Sequence, residues 1–111
     1  MQANKLITLL EATVLAQGKE EDITCGYTCD LLSLVMARGC PGMAWVTVQT
    51  HLNVIAVASL GDMACIILPE NITMEEPVLA KAREEGLTVL TTAKTAYEIC
   101  GLMHAGGIAG I

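Results

Sequence analysis

The sequence predicts an α/β domain in which consecutive βα units build a small, mostly parallel sheet with helices flanking it. Three observations lead there. From Gly42 onward, a short β-branched run, a polar turn, a helical run and a closing glycine recur three times. The runs are continuously apolar, as suits strands buried on both faces of a parallel sheet. Residues able to begin a helix follow each run. Units of this kind cross over right-handedly, which stacks their helices in layers on the sheet.

In chain order, residues 3–10 read as a helix turning Leu6, Ile7, Leu9 and Leu10 inward. Ala12–Ala16 reads as a strand, Gln17–Asp22 as a charged turn, and Ile23–Cys29 as a second strand. Asp30 can cap LLSLVMAR, and Gly39 can end it. The first repeated unit is the strand AWVTV, the turn Gln49-Thr50 and the helix HLNVIAVASL, closed by Gly61-Asp62. The second is ACIIL, then PEN, then ITMEEPVLAKAREE, closed by Gly86. The third is LTVL, TTAK and TAYEICGLM, before a glycine-rich tail. Thr50 is the natural N-cap of the first unit. Thr73 with Glu76, and Thr95 with Glu98, fit the capping box, in which two orphan backbone donors are satisfied reciprocally. Pro77 then falls in a first turn, where a missing N–H costs little.

Composition bounds the function. A chain of 111 residues suggests one domain over 1–111. Hydrophobic residues make up 53% and aromatics only 3%, with no Phe. The core must come from Leu, Ile, Val, Ala and Met, with Trp45 inside and most methionines filling gaps. So much apolar residue in so short a chain is hard to bury in a monomer and favours an oligomer. A net charge of −6 with no basic cluster argues against nucleic acid as a partner. Five cysteines are an odd number, best read as reduced thiols of a cytoplasmic protein. The N-terminal apolar stretch is interrupted by Glu11 and lacks a cleavage site, so it reads as mature protein. His51–Pro69 approaches the length of a membrane span, but Gly61-Asp62 breaks it.

Ligands in open parallel sheets bind beyond the carboxyl ends of the strands. Gln49, Thr50 and His51, with Asn53 just inside the helix, stand at one such end. Glu70 and Asn71 stand at the next, and Thr91 and Thr92 at the third. These residues are candidates for ligand binding; helix capping alone would also account for them. Helix N-termini beside Thr50, Asn71 and Thr92 could offer backbone donors to an anion. The helix after the first turn is apolar nearly all round, with only Asn53 and Ser59 polar. Such a helix is buried on all sides. One side can cover the sheet, and the other needs a partner, most simply a second copy. Leu52, Ile55, Ala56, Ser59 and Leu60 are the candidate dimer interface. The C-terminal helix, with Ala96, Ile99, Cys100, Leu102 and Met103, could share that role.

The blocks GYTCDLLSLVMARG, GMAWVTVQTHLNVIAVASLGDMACIILPEN and EEGLTVLTT together resemble the DRTGG domain, over roughly residues 12–104. The family occurs as stand-alone chains and beside CBS domains in some inorganic pyrophosphatases. It is related to the N-terminal domain of HPr kinase/phosphorylase. The resemblance implies a regulatory or dimerising module. The Asp-Arg of the family motif would fall on Thr50 and His51, and the Thr-Gly-Gly on Pro69, Glu70 and Asn71; none of the five letters is kept. Some stand-alone members are encoded near iron-only hydrogenase genes. Kinase activity is not expected, because the sequence has no G-x-x-x-x-G-K-[ST] phosphate cradle.

Other chemistry is weakly signalled. Cys25 and Cys29 form C-x-x-x-C, where a zinc knuckle normally uses C-x-x-C and four ligands. In an extended strand their sulfurs are too far apart for a relaxed disulfide. Cys29 precedes a helix N-terminus, which lowers a thiol pKa, and His51 could serve it as a base. The terminal GGIAG has no helix after it to carry a phosphate. The expectation is a non-catalytic regulatory or interaction module that homodimerises, needs no cofactor and can take a small ligand at the strand ends. Its alternatives are a sensor for a nucleotide or other anion, and a thiol- or metal-dependent accessory protein. An unidentified protein partner is also open.

Overall fold

The computed structural model describes residues 1–111. Its elements are α1 (Ala3–Leu10), β1 (Thr13–Ala16), β2 (Cys25–Thr28), α2 (Leu32–Arg38), β3 (Met43–Val46), α3 (Leu52–Leu60), β4 (Cys65–Leu68), α4 (Glu76–Glu84), β5 (Thr88–Thr91) and α5 (Ala96–Ala105). The strands form one sheet in the order β1-β5-β4-β3-β2. Strands β2 to β5 are parallel, and β1 closes the β5 edge antiparallel, with Thr13 opposite Thr91. This is the α/β architecture with flanking helices that the repeated units predict.

Side chains alternate between two cores, as the pleat dictates. Along β3, Met43 and Trp45 enter one core while Ala44 and Val46 enter the other. On β4, Ile66 and Leu68 face the first, and Cys65 and Ile67 the second. The first core is roofed by α2, α3 and α4 through Val35, Val54, Ile55, Val57, Ala58, Leu79 and Ala82. The second is roofed by α1 and α5 through Leu6, Leu10, Ile99 and Met103. Three crossovers that advance along the sheet in one direction with one hand must leave their helices on one face. The last helix, α5, crosses to the other face and packs beneath β2 and β3.

Several expected caps are corrected. Gly39 ends α2 as expected, but of the expected N-caps only Thr95 holds, accepting the Glu98 amide at 3.2 Å. Asp30 does not cap α2, whose N-cap is Leu31. Its carboxylate reaches sideways to the segment just after β3, accepting the Thr47 hydroxyl at 2.8 Å and the Val48 amide at 3.0 Å. At α3 the N-cap is His51 rather than Thr50, with no side-chain hydrogen bond. Residues 72–75 belong to no helix, and α4 begins at Glu76, with Pro77 in its first turn as expected. Met74 is buried in the first core, and the Ile72 carbonyl accepts the Thr91 hydroxyl at 2.7 Å. These two anchors hold the segment off the helix and leave Thr73 too far upstream to cap it.

Candidate functional site

The loops after β4 and β5 lead to helices on opposite faces, the arrangement that opens a ligand crevice in many α/β sheets. Here the two loops are stitched together. Glu70 and Asn71 adopt left-handed conformations, with φ of 56° and 57°. That turns their amides onto the carbonyls of Lys94 and Thr92, at 2.9 and 2.8 Å. The Thr91 hydroxyl donates into the Ile72 carbonyl, and the Thr92 hydroxyl donates to the Leu10 carbonyl at 2.7 Å. Both threonines are buried. The amides of Glu70 and Asn71 and the hydroxyls of Thr91 and Thr92 therefore already have protein partners.

An open crevice lies one loop over. Thr50 and His51, after β3, meet Thr73, Glu75 and Val78 across a space of about 400 Å³. Gln49 does not join them. Its side-chain amide donates to the Asp30 carbonyl at 3.1 Å and its backbone amide to the Thr47 hydroxyl at 3.2 Å, so it braces the β2 and β3 ends. No ammonium or guanidinium lines the crevice, and Glu75 is its only acidic group. Lys94, on the neighbouring loop, is paired with Glu11 at 3.1 Å.

The second concavity is apolar. Leu52, Asn53, Ile55, Ala56, Ser59 and Leu60 of α3 face Lys81 of α4 and Glu85 at its C-terminal end across a groove of about 350 Å³. All five candidate interface residues meet here, and Asn53 belongs to this groove rather than to the strand ends. One expectation is corrected: Ile55 is fully buried in the chain's own core and forms the groove floor. Within a single chain α3 is not covered all round, since Leu52 is 52% and Leu60 79% exposed. The polar rim is ordered. Lys81 lies 3.2 Å from Glu85 and 3.4 Å from Glu84, and Ser59 donates to Glu85 at 3.2 Å. The Lys81 ammonium and the Ser59 hydroxyl hold the Glu85 carboxyl below its ordinary range, and the two glutamates raise Lys81. The C-terminal helix does not share this face: Ile99 and Met103 are buried in the second core.

The thiols are placed differently from expectation. Cys25 and Cys29 sit at opposite ends of β2. The partner of Cys25 is Cys40, at 3.4 Å, a pair separated by α2 that the spacing along the chain did not suggest. The Cys29 thiol points at the Leu31 carbonyl, 3.9 Å away. Burial pushes the Cys65 thiol up to about 12. No group of three or more His, Cys, Asp or Glu side chains is placed to hold a metal ion. No helix is long and apolar enough to cross a membrane. Thr73 and Glu75 are crevice residues that the sequence reading assigned to a helix, and Lys81 and Glu85 are groove residues to which it gave no site role. A break in apolar pattern at 69–75 is the only signal that could have found the first pair.

Fold and concavities together describe a small α/β module with an uncovered apolar groove on one helical layer and a polar crevice beside it. No family model matches the sequence, and no curated protein matches it. Among solved structures, the chain resembles the CBS and DRTGG domains of the regulatory region of Clostridium perfringens pyrophosphatase, determined in complex with the activator diadenosine tetraphosphate. The TM-score is 0.72 at 13% identity, over 91% of this chain and 45% of that one. This chain thus spans less than half the length of that region. The fold is DRTGG-like, in agreement with the resemblance read from the sequence.

Proposed function

We propose that the protein is a non-catalytic regulatory module, a single domain over residues 1–111, that homodimerises through the α3–α4 groove. The observation that carries this reading is the stripe Leu52, Ala56 and Leu60, exposed at helical spacing on a helix whose other side fills the core. Monomeric domains seldom leave such a stripe uncovered. A two-fold axis would set each stripe into the other copy's groove, with the Lys81 and Glu85 rims facing one another as a self-complementary pair. The test is light scattering across a concentration series. The expected mass is twice 11.7 kDa at micromolar concentration; a monomer throughout would end the proposal.

A second reading concerns ligand sensing at the crevice of Thr50, His51, Thr73 and Glu75. It is favoured by the position of the crevice at a strand end and by the nucleotide activator bound in the structurally similar pyrophosphatase region. Without a cation in the crevice, a polyphosphate would gain little there, and Glu75 opposes it. A ligand presenting an uncharged hydrogen-bonding face suits the lining better. A thermal-shift screen of nucleosides, nucleotides and diadenosine tetraphosphate tests it, with displacement of any shift by Thr50→Val as the supporting outcome.

A further inference from the structure

We infer that Cys25 and Cys40 are a reversible disulfide site, two thiols set to oxidise onto one another. Their sulfurs lie 3.4 Å apart. Closing to the ~2.05 Å of a disulfide asks for a movement of roughly 1.4 Å. The backbone, not chance side-chain reach, brings them together. Cys40 opens the turn Cys40-Pro41-Gly42-Met43, in which the Met43 amide donates to the Cys40 carbonyl at 3.3 Å and Gly42 has φ 82°. Proline second and glycine third, the latter at positive φ, are the requirements of a type II turn. Thr24, the neighbour of Cys25, grips that turn. Its amide donates to the Gly42 carbonyl at 2.9 Å and its hydroxyl to the Pro41 carbonyl at 3.2 Å. Cys25 itself pairs with Met43 in the parallel β2–β3 register. Both cysteines are thus fixed on adjoining, hydrogen-bonded segments.

Exposure assigns their roles. Cys40 is half-buried and reachable, whereas Cys25 is 7% exposed, and burial beside Cys40 pushes its thiol up to about 11. Cys40 is the thiol that meets an oxidant of the class of low-molecular-weight disulfides, such as glutathione disulfide. Its deprotonated sulfur attacks one reagent sulfur, the reagent S–S bond breaks, and one thiolate leaves, giving a mixed disulfide on Cys40. Cys25 then releases its proton to solvent and attacks the Cys40 sulfur, expelling the second reagent thiolate. Two protein thiols are oxidised and one reagent disulfide is reduced to two thiols; excess reagent thiol runs the steps backward. The remaining cysteines lie elsewhere: Cys65 in the sheet, Cys100 on α5 and Cys29 at the far end of β2.

The experiment equilibrates the folded protein in glutathione buffers from reducing to oxidising, quenches with acid, alkylates and digests with trypsin. Cleavage after Lys19, Arg38 and Lys81 leaves Cys25 in residues 20–38 and Cys40 in 39–81, so the bond joins two peptides. The expected result is loss of two of the five thiols with the two peptides crosslinked, reversed by dithiothreitol. The crosslink should persist in Cys29→Ser and vanish in Cys40→Ser. Cys40→Ser is a near-isosteric change at a partly buried turn position, and Trp45 fluorescence reports that the variant is folded. Five alkylated thiols at the oxidising end, a mixed disulfide that never closes, or a crosslink surviving in Cys40→Ser each overturn the inference.

Discussion

Replacing Leu52 and Leu60 together by serine tests the proposed dimer where it is most exposed. Full burial of a leucine side chain contributes ~1.5–3 kcal/mol. Leu60 is 79% and Leu52 52% exposed in the single chain. Covering those fractions yields about 3 kcal/mol per subunit, and two-fold symmetry doubles it to about 6 kcal/mol per dimer. Ordering the side chains at the interface returns part of this, leaving about 4 kcal/mol, near three decades in Kd. A micromolar dimer should therefore become millimolar. Sedimentation equilibrium over a hundredfold concentration range would show the wild type dimeric and the double variant monomeric. Because both side chains face outward, the variant should keep its unfolding midpoint once the dimer term is subtracted. Tyr97→Ser is the control: Tyr97 is 89% exposed on α5, on the opposite layer, and its loss should leave the dimer intact. Undiminished association of the Leu52/Leu60 variant would refute the argument, because the interface would then lie elsewhere.

Other perturbations probe the scaffold and the crevice. Asp30→Ala removes the acceptor for the Thr47 hydroxyl and the Val48 amide. Leaving the buried Thr47 hydroxyl without it should destabilise the fold by about 2–3 kcal/mol in urea unfolding followed at Trp45; an unchanged midpoint would contradict the bracing role. Gly18→Ala places a Cβ against the Gly86 backbone carbonyl, contact that neither segment can yield cheaply. It should cost about 1–3 kcal/mol, and a neutral result would show that the loop moves freely. The Cys65 thiol is raised to about 12 from an ordinary value of 9. The folded form therefore holds its proton where the unfolded chain has lost it, so this stability is complete below pH 9 and falls as pH rises toward 12. The unfolding free energy of the wild type should drop more steeply between pH 8 and 10 than that of Cys65→Ala; parallel slopes would refute it. A ligand binding the crevice at a hundred times its Kd should stabilise the protein by ~2.7 kcal/mol, and Thr50→Val should abolish that shift.

The parallel part of the fold was legible because each βα unit announces itself locally. ACIIL and LTVL are short, largely apolar runs, and Thr95 with Glu98 is a cap contained in four residues. What could not be read depends on contacts between units. Asp30 looks like a cap until β3 lies beside it and offers a hydroxyl and an amide. Thr73 looks like a cap until Met74 and Ile72 are drawn into contact with the sheet. The polar residues at the strand ends were visible, yet periodicity does not say which loops join. Glu70, Asn71, Thr91 and Thr92 hold two loops together, while Thr50 and His51 are left to meet Thr73 and Glu75. That α3 has a side its own sheet does not cover was legible in α3 alone; the wall facing it, Lys81 of α4 and Glu85 at its end, was not, since a charged face says nothing of its neighbour. Cys25 and Cys40 were missed for the same reason, with a whole helix between them.

The order of strands also sets an order of assembly. Strands β2 to β5 can be laid down one after another as the polypeptide emerges, each beside its predecessor. The first strand has no such neighbour in waiting: Thr13 pairs with Thr91, and the Thr92 hydroxyl closes on Leu10. Joining segments so remote along the chain is slow because the intervening loop must be gathered in first. Until β5 and α5 arrive, α1 lacks the strand end that binds its last turn and the helix it packs beside, and its leucines have only part of the second core to enter.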